Sequence, residues 1–147
     1  MPIIDVEITK GSLDEQIKHK LINELGQVAL GYEGLKGSKF AEAFTWLYIH
    51  EHPVSHVSQV SGPLPKPIYR VTFTTLETLL NDEQKHELGA DVAKAIYKAE
   101  GSEWNDEEAY NRVWTFFSDI RQGDWIAGAR INNIPDLQKR VKEELAA

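Results

Sequence analysis

The strongest constraint on this chain is that its second half restates its first. Asp82-Glu83-Gln84 repeats Asp14-Glu15-Gln16 and Trp114 repeats Trp46, both at a shift of 68 positions. Around these landmarks one pattern occurs twice. Residues 3–9 alternate, with Ile4, Val6 and Ile8 on one face and Ile3, Asp5 and Glu7 on the other, the period of a half-buried strand. A helix is predicted over 13–32, with Ile17, Leu21, Leu25, Val28 and Ala29 on one stripe. Ser12, with Glu15 three residues on, has the spacing of a capping box at its start. Gly31, Gly34 and Gly37 break the helix, and a second strand is predicted over 44–51, stopped by Pro53. A turn-rich stretch holding Gly62, Pro63, Pro65 and Pro67 then marks a boundary. Beyond it the pattern restarts: a strand over 68–73, a helix from Asp82 to about Glu100 with Leu88, Val92, Ile96 and Ala99 on its stripe, and a strand over 113–119.

Each strand-helix-strand unit makes its own two strands parallel, with a right-handed crossover. The expected fold is therefore α+β: two tandem β-α-β units forming a four-stranded mixed sheet with two helices on one face. A short C-terminal helix over 135–145, with Pro135 in its first turn, completes it. With 147 residues the chain fits a single domain, 1–147, with units at about 2–53 and 67–130. The helix-free face would carry Trp46, Tyr48, Trp114 and Phe116 beside charged residues, and such a face calls for burial against another subunit.

A formal net charge of −7 argues against a nucleic-acid partner, which needs clustered Lys and Arg. The chain has no cysteine, so disulfide and thiolate chemistry are excluded. The opening residues become charged at Asp5 and Glu7, and no apolar run is long enough for a bilayer; a soluble, cytoplasmic protein with no membrane partner is expected. His50 and His52 share a strand face with His56 nearby, a spacing that can begin a metal site, but Pro53 bends the chain away and no metal is expected. No Gly-rich loop opens a helix as a phosphate cradle would, and no Ser-His-Asp signature occurs. No cofactor is expected.

The start Met1-Pro2, the doubled unit and an aromatic-glycine segment together resemble the tautomerase superfamily. Residues 2–16 align without a gap on the 4-oxalocrotonate tautomerase pattern, and residues 117–128 are similar to that family's second strand and following hairpin. His50-Glu51-His52-Pro53, with Asp124-Trp125 and Gly128, resembles the malonate semialdehyde decarboxylase branch. The doubled length suits that branch and the cis-3-chloroacrylic acid dehalogenase branch.

The resemblance implies a homotrimer in which Pro2, freed by removal of Met1, is the catalytic base or acid. An N-terminal proline carries a secondary amine, and an apolar pocket disfavours its cation, bringing its pKa toward working pH. Pro67 opens the second unit, but its nitrogen is locked in a peptide bond, so one site per chain is expected. The implied chemistry is tautomerisation, hydration or dehalogenation, or decarboxylation of a small unsaturated or β-keto carboxylate. Trp125 takes the place of the family's aromatic pocket wall. The family's arginine positions hold Ser12 and either Trp46 or Trp114, and the decarboxylase's arginine pair falls in 75–80, which has none. Arg130 and Arg70 are the candidates to hold the substrate carboxylate; Arg70 has the alternative of neutralising Asp5 across the strands. Arg112, Arg121, Lys36 and Lys39 are expected in solvent. Glu51, Asp119 and Asp124 are the acids placed by segment to activate water. A catalytically idle trimeric binding protein of the same fold is the competing expectation, favoured by the missing arginines.

Overall fold

A computed structural model describes residues 3–147. The first unit comprises strand β1 (Ile3–Thr9), helix α1 (Glu15–Tyr32), a short helix α2 (Lys39–Ala43) and strand β2 (Trp46–His52). A 3-10 turn at Val54–His56 and a two-residue hairpin, β3 (Ser58–Gln59) with β4 (Gly62–Pro63), bridge to the second unit. That unit comprises β5 (Tyr69–Leu76), α3 (Asp82–Glu100), a short helix α4 (Asp106–Arg112) and β6 (Val113–Ile120). A second small hairpin, β7 (Ile126–Ala127) with β8 (Arg130–Ile131), and helix α5 (Ile134–Ala146) end the chain.

The four long strands form one mixed sheet in the order β2-β1-β5-β6. β1 pairs parallel with β2, β5 parallel with β6, and the two units join antiparallel along β1 and β5. This is the expected architecture. Alternation does the sorting: Ile4, Val6 and Ile8 of β1, with Val71 and Phe73 of β5, point to the helices and are buried with Leu21, Leu25, Leu88, Val92 and Ile96. Each such aliphatic side chain taken out of water contributes about 1.5–3 kcal/mol. Gly26 lets α1 approach β2 closely, because a Cβ there would stand 3.3 Å from Leu47 Cδ2.

Helix starts follow local chemistry. Asn81 forms a reciprocal capping box with Gln84 at the head of α3, and Gly101, at φ 71°, closes its tail. The head of α1 differs from expectation: Asp14 is the N-cap, accepting from the Ile17 amide at 2.8 Å, while Ser12 Oγ donates to the Thr9 carbonyl. A carboxylate is a good cap acceptor, and Asp14 stands at the required three-residue spacing from the amide that it serves. α5 docks through a second small core of Leu30, Leu35, Leu76, Leu137 and Val141. Its Glu144 carboxylate accepts from Ser38 Oγ and from the Lys39 amide at 2.8 Å, and the Arg140 guanidinium lies 3.9 Å over the Phe40 ring.

The helix-free face carries the expected aromatics: Trp46, Tyr48, Trp114 and Phe116 are all exposed. Between them run His50–Asp5 at 2.6 Å, a His52–Glu7 pair, and Arg70 at 3.4 Å from Glu7. The ladder sets Arg70 opposite Glu7, so the expected Arg70–Asp5 pairing is corrected; Asp5 faces Thr72 and takes His50 instead. Arg112, expected in solvent, is buried. It donates to Glu100 at 2.5 Å, to Glu108 at 2.7 Å and to the Pro67 carbonyl at 2.9 Å.

Candidate active site

The end of the sheet where β1 begins is hollow. Ile3 opens β1, Thr74 faces it on β5, and Trp46 opens β2 alongside. α2 stops with Ala43 and its C-cap Phe44, and the turn after β6 brings Asp124 and Trp125 over the gap. These residues, with Ile120 and part of the β7–β8 hairpin, line a cavity of about 620 Å³. A space of this size fits a small organic molecule.

Trp125 is half-buried and lines the cavity, while its ring meets Phe44 edge to face at 6.0 Å. Trp125 is thus both part of the cavity wall and a packing contact. Arg130 is exposed on β8, opposite Ala127, which lines the cavity. Arg70 is elsewhere. It opens off the ladder at Glu7, four residues along β1 from Ile3 and so about 13 Å away. There it lines a second cavity of about 540 Å³ with His52, His56, Arg112 and Trp114. Pro2, the expected base, is bonded to Ile3 and lies outside the described residues, as does Met1.

Among the described residues lining the first cavity, Asp124 alone is charged, and it accepts from Arg121 Nε at 3.0 Å. The other two acids considered for water activation are on the helix side of the sheet, Glu51 paired with Lys18 and Asp119 with Lys85. Phe44, Ile120 and Ile126 are lining residues that the sequence did not single out. Phe44 reads as the start of a strand, and only the one-turn helix before it places its ring beside Trp125.

Around Arg70 the electrostatics are settled by pairing. Burial works to raise the Glu7 carboxyl, but the His52 hydrogen bond and the charges of His50, His52 and Arg70 hold it below its ordinary value. Burial and the Glu100 carboxylate, which accepts from Tyr69 Oη at 2.8 Å, push the Tyr69 phenol up. Burial disfavours the Arg112 cation, and Glu100 and Glu108 more than reverse this. His50 and His52 are each held by a carboxylate of the neighbouring strand.

No sequence-family model matches the chain, and no curated protein does. Solved structures match it closely in shape. Pt0534 inactivated by 2-oxo-3-pentynoate superposes with a TM-score of 0.70 at 17% identity, over 88% of this chain and 94% of that one. A wild-type fused 4-OT, a symmetric trimer, gives 0.67 at 18% identity over the same shares. N1, a member of the cis-3-chloroacrylic acid dehalogenase family, gives 0.69 at 8% identity, over 96% of this chain and 99% of that one. The chain has the tautomerase-superfamily fold. Near-complete coverage of both partners includes the doubled unit, so the tautomerase fold here is the long, two-unit form. Among the described residues no helix is long and apolar enough to cross a membrane.

Proposed function

We propose that this chain is a tautomerase-superfamily enzyme acting on a small unsaturated or β-keto carboxylate, with the Pro2 imino nitrogen as general base or acid once Met1 is removed. The observation that carries this reading is the cavity beside Ile3, the residue to which Pro2 is bonded, walled by Trp125 and Phe44. A mostly apolar wall disfavours a cation, so a secondary amine facing it would be free to accept a proton near neutral pH. The base would move a proton between carbon positions, or return it as the conjugate acid after hydration or decarboxylation. Trp125 would hold the flat substrate body, and Arg130, one hairpin position from Ala127, its carboxylate. Asp124, on the cavity wall, is the acid best placed to activate a water. We further propose a homotrimer, as in the fused 4-OT, and no nucleic-acid or membrane partner.

The test begins with the intact mass, which should show Met1 removed. Phenylenolpyruvate ketonisation and a halogenated acrylate panel then search for turnover. The expected result is a loss of at least about 100-fold in kcat/KM in Pro2→Ala, the scale of a lost general base, with unchanged far-ultraviolet circular dichroism. Covalent labelling by 2-oxo-3-pentynoate, expected at one site per chain, should vanish with Pro2. Turnover that survives Pro2→Ala ends this reading.

A second reading is a catalytically idle, trimeric binding protein. One observation favours it: among the described residues the cavity wall contributes no arginine or lysine to hold a carboxylate. Absence of turnover and of Pro2 labelling, in a chain whose Met1 is removed, would select it.

A further inference from the structure

The two units carry equivalent cavities at opposite ends of the sheet. In the first unit Trp46 opens β2 beside the start of β1; in the second Trp114 lies near the start of β6, paired with Arg70 near the start of β5. The cavity beside Trp114 is of similar size, about 540 Å³, but its chemistry differs. The segment entering β5 passes through Pro67, whose nitrogen is an amide, so no counterpart of the Pro2 amine stands here. In its place this cavity has Arg70, His56 and Asn111, with Glu7 beside Arg70, and Trp114 on its wall.

Which of these groups are free follows from the pairing. Glu7 engages His52 through Oε2 and stands by Arg70 through Oε1, 3.4 Å from Nη2, an ion pair without a hydrogen bond. A guanidinium has five N–H donors in a planar fork, so most of Arg70's donors have no partner among the described residues, and its side chain is 60% exposed. Arg112, in contrast, has every nitrogen engaged, by Glu100, Glu108, Tyr97 and Pro67, and serves only as wall. Thr9 borders this cavity too, but its Oγ1 has almost no surface open to it, so it belongs to the wall and not to the ligand contacts.

We propose that the Trp114 cavity is a second, non-catalytic binding site for a small organic carboxylate with an apolar body, anchored by Arg70 and seated on Trp114. A carboxylate would take the two parallel guanidinium donors that Glu7 leaves open, and the body would cover the indole. The proposal needs neither Pro2 nor any turnover, so it stands or falls separately from the catalytic reading.

The Trp114 indole N–H, which donates to the Tyr110 carbonyl at 3.0 Å, is a built-in reporter. Its nitrogen–proton resonance, assigned with Trp114→Phe, is followed as the intact protein is titrated with 3-phenylpropanoate and with the neutral 3-phenylpropanamide. The Trp114 resonance should shift saturably with the acid, and the amide should bind at least about tenfold more weakly, the factor expected for a lost charge-assisted contact. Arg70→Gln, at an exposed position, should remove that difference. Equal affinity for acid and amide, an unaltered preference in Arg70→Gln, or movement confined to the Trp46 and Trp125 resonances would each overturn the site.

Discussion

Single residues in this chain act mainly through the partners they leave behind when removed. Arg112 shows this best. Its guanidinium and the Glu100 carboxylate are both almost wholly buried, and Tyr69 Oη and Tyr97 Oη complete the network. A buried ion pair need not add net stability over apolar residues of the same size, but breaking one side strands the other charge. Arg112→Met should therefore cost about 3 kcal/mol, roughly 10 °C in Tm for a chain of this size. Combining it with Glu100→Gln should recover part of the loss, because the stranded charge is then gone. Thermal melts of the two singles and the double check both statements. A loss in the double equal to the sum of the singles would mean the two residues do not act together. Trp125 is the opposite case, since it lines the cavity and packs on Phe44, and any substitution there alters packing and pocket at once.

At the scale of elements, α5 is held as much by electrostatics as by its apolar stripe. The Glu144 carboxylate receives Ser38 Oγ and the amides of Lys39 and Phe40, at the head of α2. The Ser38 hydrogen bond above all, against a smaller desolvation cost and with help from those amides, holds Glu144 below its ordinary value of 4.5. A carboxyl depressed in the folded state contributes stability that is fully present above its unfolded pKa and is lost as pH falls through the folded one. Glu144→Gln should thus lower Tm by a few degrees at pH 7 and make no difference well below pH 4, and melts across that range decide it. Most of this architecture was legible beforehand, because long periodic segments carry their own signal. The strand alternation at Ile4, Val6 and Ile8, the stripe of α1 and the two-unit repeat all sort as read. What escaped was short or relational. α2 and α4, at five and seven residues, are too brief for a helical period to emerge, and their caps at Ser38 and Asn105 were the only available signs. The partner of Arg70 depends on the antiparallel register between β1 and β5, which alternation leaves open by any even slip. The cavity residue Phe44 was hidden for the same reason as α2.

For the whole molecule, the decisive fact is the bare face of the sheet. Its two edge strands, β2 and β6, have no strand on their outer sides among the described residues and carry Trp46, Tyr48, Trp114 and Phe116, each between 44% and 59% exposed. The centre of the face is polar and internally paired, with His50 on Asp5 and His52 on Glu7, while Arg70, towards the end of the sheet, keeps most of its donors open. An open edge bearing aromatics invites pairing with another chain, and the paired groups at the centre of the face can be covered without stranding a charge. Closing the sheets of the proposed homotrimer around a common axis would remove both edges and bury the aromatics of their middle, Tyr48 and Phe116, while the second cavity, at the end of the sheet, would stay open beside Trp114. Sedimentation should then give three times 16.7 kDa for the wild type. Phe116→Asp, which places a carboxylate amid the aromatics without touching the helix-side core, should shift the mass toward one chain and speed amide exchange in β2 and β6 while α1 and α3 stay protected. A wild type that sediments at 16.7 kDa over the working concentration range would show instead that the face is open to a different partner.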